Sequence, residues 1–454
     1  MFTDEQVMLC LAGISYRGFF QAGSHGPLAG DVLQAPIERG LNTLAPLRDG
    51  WDLVWGPAHY RGPLSLFDEK LMYVVQDRRR SNRYVVVLRG TNPISATDWL
   101  FGDLWTGRQT PWLYGDGTAR VSFSAALGLA IVKGLRSPGP RRSATSRLWA
   151  NVDQHIADLR IAARAASRPL RRLGERALEP LGRQLMIWLQ QLSRVRHIGL
   201  LPSSDAAVSA YLSLWRSDVR ERVFDVLDRI GRIQGDQIER WLLSFIENEQ
   251  RYRSSREAGS DLLTFLAAAI ENATGPLDIV VAGHSKAGAL ASTVALWLAE
   301  TQGDRTPAEE RWDPGRRATV HCWSYAGPTA GDAAFARRSD ALLGARCHRV
   351  WNDLDIVPRA WCIDDLVSVP ALYEPAIGRL PLVGDLVDTI VHKVKPLAYT
   401  QLGGDVHRIC GKVDPAKPYF FVQLAHQHFD AYLSELDLTR HGVTQAVLFD
   451  QTTE

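Results

Sequence analysis

The chain has 454 residues, 46% hydrophobic and 22% charged, a globular composition that excludes intrinsic disorder. Its 52 basic and 50 acidic residues leave a net charge of +2, which excludes a whole-chain nucleic-acid polycation. Five scattered cysteines without a CxxC pair exclude a disulfide scaffold and a zinc ribbon. Arginine outnumbers lysine 45 to 7, which reads as the imprint of a GC-rich genome. The first residues carry acids where a secretory leader would carry Lys or Arg, and no apolar run reaches the roughly 18 residues of a membrane span. The expectation is a chain that is cytoplasmic as synthesised, with export left to a dedicated secretion machine.

Residues 71–75 and 84–88 are β-branched and aromatic runs around a polar stretch, which predicts a hairpin. Gly90-Thr91-Asn92-Pro93 then predicts a turn. From 136 to 256 the strand signal vanishes and helical periodicity takes over, as in Trp149, Val152, Ile156 and Leu159, with Pro169, Pro180 and Pro202 as punctuation. This stretch predicts an all-helical insertion. It holds 22 Arg against 13 acids, a net +9, so the remainder carries 2 − 9 = −7. Residues 136–196 alone hold 13 Arg and 4 acids, again +9. Such an excess is either a solvated helix face or a contact for an anionic membrane or an acidic protein partner; no nucleic-acid reader motif accompanies it. Beyond it, 277–282, 319–325 and 347–351 read as strands and about 286–300 as a small-residue helix. Strands alternating with helices predict an α/β sheet, split as 1–135, the insertion 136–256, and 257–454.

The chemistry-bearing segment is Leu277 to Ala291, LDIVVAGHSKAGALA. A serine hydroxyl becomes a nucleophile only when it is held near a base and presented without steric cover. A tight strand-to-helix turn does this, provided that the residues two before and two after are small, as Gly283 and Ala287 are around Ser285. The following helix N-terminus aims backbone N–H groups at a developing oxyanion. The bare pattern is weak evidence in a chain with 37 Gly; the apolar strand before it and the small-residue helix after it strengthen it. A serine triad also needs a histidine late in the chain, and Leu424 to Leu433, LAHQHFDAYL, offers His426 and His428.

The elbow resembles that of the class 3 (fungal-type) lipases, and three other segments resemble the same family in the same order. Tyr84 to Thr91 (YVVVLRGT) with Asp98-Trp99 is similar to its oxyanion strand. Cys322 to Asp332 (CWSYAGPTAGD) is similar to its post-nucleophile strand, and Arg349 to Pro358 (RVWNDLDIVP) to its acid-bearing strand end. Tyr399 and Gly403 also fit the family, and the likeness covers about 70–135 and 260–435. It implies an α/β-hydrolase with a largely parallel central sheet flanked by helices. It further implies Ser285 as nucleophile, Asp355 as triad acid with Asp353 a competitor, and His428 as base ahead of His426, because His428 stands four residues before Tyr432. A helix from about 429 to 436 would leave His428 at the loop–helix junction. Thr91 and the backbone N–H of Lys286 match the oxyanion donors, and His284 reads as a packing residue under the elbow. The implied activity is serine-dependent hydrolysis of lipid acyl esters, of lipase or phospholipase A type, on a lipid or phospholipid substrate, with no metal or cofactor. Ala287 departs from the family's usual glycine, and the insertion exceeds its short lid. A catalytically silent or partner-gated scaffold and a small-ester or thioester hydrolase are the competing readings.

Overall fold

The structure, a computed structural model, describes residues 2–17, 29–60, 70–90, 107–137, 259–304 and 306–450. Its main sheet has seven strands: β1 (Trp51–Tyr60), β2 (Lys70–Asp77), β3 (Arg83–Leu88), β4 (Leu277–His284), β5 (Ala318–Tyr325), β6 (Cys347–Asn352) and β7 (Asp405–Ile409). Spatial order follows chain order across the sheet. The β1–β2 and β2–β3 pairs are antiparallel, and every pair from β3 to β7 is parallel. Residues 71–75 and 84–88 therefore do form a hairpin, with Val75 opposite Val85.

The central strands read as unbroken apolar runs because both sheet faces are covered. Met72, Val74, Val86, Ile279 and Val281 enter one core, while Tyr73, Val85, Val87, Val280 and Ala282 enter the other. The helices that build these layers include α1 (Asp4–Ile14), α2 (Ala29–Thr43), α3 (Phe123–Gly134), α4 (Leu262–Asn272) and α5 (Lys286–Glu300). Leu129, Leu266 and Leu290, from α3, α4 and α5, pack on the first face; Leu11 and Ile37, from α1 and α2, pack on the second. Thr3 caps α1 with a full capping box. This mostly parallel sheet between helical layers is the α/β-hydrolase fold.

Ser137 N–H donates to Ser260 O at 3.0 Å, and Arg136 forms an isolated bridge with Asp261, so positions 137 and 260 lie side by side. Residues 138–258, which contain nearly all of the predicted insertion, lie outside the described residues, as do Thr91 and the Asp98-Trp99 pair. Among the described residues, no helix is long and apolar enough to cross a membrane.

Candidate active site

The parallel strands end at one edge, with Leu88 paired to Gly283, His284 to Tyr325 and Tyr325 to Val350. Ser285 joins β4 directly to α5 with φ 64° and ψ −135°. A left-handed backbone at a non-glycine residue costs about 1–3 kcal/mol and persists only where the surroundings enforce it. Two bonds do so here: Ser285 N–H donates to Tyr325 O at 2.9 Å, and Gly288 N–H donates to Ser285 O at 2.7 Å. Packing accounts for the small neighbours. A Cβ on Gly283 would collide with the Ala287 carbonyl, and one on Gly288 would lie 2.7 Å from Gly327 Cα. Ala287 itself is buried in the first turn of α5, where its methyl is accommodated.

Three side chains meet above this turn. Ser285 Oγ lies 2.9 Å from His428 Nε2, and His428 Nδ1 lies 2.9 Å from Asp355 Oδ2 and 3.1 Å from Oδ1. A carboxylate accepts only, so Nδ1 carries the proton and Nε2 accepts from the serine hydroxyl. Asp355 is fully buried, and two further donors hold it: Val357 N–H to Oδ1 at 3.0 Å and the Tyr432 hydroxyl to Oδ2 at 2.9 Å. Burial and the facing carboxylate push the Tyr432 ionisation well above its ordinary range, which keeps that hydroxyl a donor. Tyr432 in turn accepts from Asn352 N–H at 2.9 Å, tying the acid to the end of β6.

Residues 212–364 match the family "Lipase (class 3)". Over that segment, about a third of its length, the chain is similar to the class 3 lipases. The segment contains Ser285 and Asp355 and stops before His428. The crystal structure of M37 lipase shares the fold, with a TM-score of 0.65 and 23% identity over 99% of this chain and 98% of that one. A mutant of MDLA from Penicillium cyclopium aligns over 80% of this chain and 74% of that one at 12% identity and a TM-score of 0.30, too distant to carry an argument. No curated protein matches the chain significantly. The family match over that segment supports lipid ester hydrolysis as the activity.

The structure separates the candidate residues from their competitors. Asp353 lies outside the Ser285–His428–Asp355 chain: Oδ1 accepts from Gly411 N–H at 2.7 Å and Oδ2 from Arg408 at 2.9 Å. His426 Nδ1 is buried without a hydrogen bond, 3.6 Å from Asp430 Oδ2. Lys286 opens α5, placing its backbone N–H at the positive end of the helix dipole beside Ser285. One expectation needs correcting. A helix from about 429 to 436 would put His428 at a loop–helix junction, but the helical segment begins at Phe420 and His428 lies inside a π-turn, His426–Asp430. The early start follows from Phe420, which packs with Tyr373 in a satellite core, and from Gln427, which bonds Lys412 O at 2.6 Å. π-turns recur at functional sites because the widened turn re-aims a side chain.

Sequence reasoning used Tyr432 as a landmark and missed it as the partner of Asp355; its i+4 spacing from His428 on one helix face was the available signal. The bond from His284 to the His428 carbonyl had no such signal. Among the described residues, no cluster of three or more His, Cys, Asp or Glu is arranged to hold a metal ion.

Proposed function

We propose that the chain is a serine-dependent lipid acyl hydrolase of lipase or phospholipase A type. The carrying observation is the unbroken hydrogen-bond chain from Ser285 Oγ through His428 to buried Asp355. Ser285 attacks the ester carbonyl as His428 Nε2 takes its proton, while Asp355 steadies the imidazolium. The Lys286 N–H and Thr91 stabilise the tetrahedral oxyanion, each donor contributing about 10²–10³ in turnover. His428 then protonates the departing alcohol and activates the water that hydrolyses the acyl-enzyme.

The +9 across residues 136–196 favours phospholipid at an anionic surface over neutral triacylglycerol. Fatty-acid release from phospholipid vesicles, triacylglycerol emulsion and a short soluble ester tests both levels. The expected result is release from vesicles that rises with anionic lipid content and falls with added salt. Release from emulsion alone overturns the phospholipid preference. Cleavage of the soluble ester alone overturns the lipid reading, and cleavage of none favours a binding role for the fold.

A further inference from the structure

We infer that Tyr16 and His284 are positioning residues that fix the distance between the nucleophile and its base, an inference that rests on the triad reading above. Both are buried, at 7% and 1% exposure. His284 Nε2 lies 2.9 Å from the His428 backbone carbonyl, and the Tyr16 hydroxyl lies 3.3 Å from His284 Nδ1 and 3.3 Å from the His284 carbonyl. A carbonyl only accepts, so Nε2 carries the proton, and Nδ1 and the His284 carbonyl share the single Tyr16 hydroxyl proton. Burial, reinforced by neighbouring His428, holds the His284 ionisation well below its ordinary range, so the ring stays neutral with one donor and one acceptor.

The consequence is a short closed circuit. His284 is covalently joined to Ser285, its ring is bonded to the backbone of His428, and the His428 ring returns to Ser285 Oγ. The base is thus indexed to the nucleophile through one intervening side chain, although 143 residues of sequence separate them. The π-turn makes the tie useful, since it sets the backbone from which the imidazole projects. The end of β3 rests on the same pair: a Cβ on Gly90 would lie 2.6 Å from His284 O and 3.3 Å from Ser285 Cβ. Elbow, base and the segment leading into Thr91 therefore share one buried contact, and a misplacement of about 1 Å there is enough to lower turnover by roughly 10²-fold.

His284→Leu fills the space without a donor, whereas His284→Gln restores an N–H near the Nε2 position. The leucine variant is expected to lose roughly 10²-fold in kcat with KM unchanged, and the glutamine variant to recover most of it. The downfield proton of the His428–Asp355 bond should shift in the first and return in the second. Wild-type kcat in His284→Leu, or a glutamine variant as slow as the leucine one while both keep wild-type circular dichroism, overturns the inference. If the leucine variant does not fold, nitrogen NMR of the wild type decides. An Nε2-protonated His284 is expected, and an Nδ1-protonated ring contradicts it. Ser285→Ala separates the two levels: an active Ser285→Ala removes the triad reading itself, whereas an inactive one beside a fully active His284→Leu removes only this inference.

Discussion

Replacing His428 with alanine is expected to lower fatty-acid release on the order of 10⁴–10⁶-fold, because the only nitrogen within hydrogen-bond reach of Ser285 Oγ among the described residues is then gone. His426→Ala, two residues away in the same π-turn, is expected to stay within about tenfold of wild type, since single side chains outside the reacting unit rarely carry more. Measuring both variants on one vesicle substrate turns a choice that rests on geometry into a ratio of rates. Equal losses would mean that both rings serve the base role, and the reverse order would move that role to His426.

Asp355→Asn should cost about 10⁴-fold in kcat with the fold intact. Both carboxylate oxygens are occupied as acceptors: Oδ1 by Val357 N–H, Oδ2 by the Tyr432 hydroxyl, and both by His428 Nδ1. An asparagine has one acceptor oxygen, so either orientation turns an NH₂ group toward a donor and favours the wrong imidazole tautomer. Each buried group left unsatisfied also costs about 1–3 kcal/mol, so the melting temperature should fall too. Asp353→Asn, which faces Arg408 and Gly411, is the matched control and should remain active. Loss of activity in the control and retention in Asp355→Asn would reassign the acid.

These two residues also show what sequence can reveal about such a site. The elbow was readable because its demands are local: an apolar strand, a strained serine and small neighbours at fixed offsets. The core strands were readable because burial on both faces leaves them uniformly apolar. β1 was not, since its register slips twice, near Leu53, Trp55 and Ala58, and Gly56-Pro57 within it reads as a turn. Edge strands tolerate proline where central strands do not. The π-turn was equally invisible, because residues 426–430 carry no composition that distinguishes a widened turn from an α-turn. The bonds of Tyr16 and His284 are tertiary, joining positions up to 268 residues apart, and no local pattern encodes them.

The most direct measurement is labelling with a fluorophosphonate, followed by mass spectrometry of the modified peptide. An activated serine is phosphonylated where an ordinary one is not. Stoichiometric adduct on Ser285 in the wild type, and none in His428→Ala, is the expected result. No adduct, or an adduct on another serine, would contradict a catalytic Ser285.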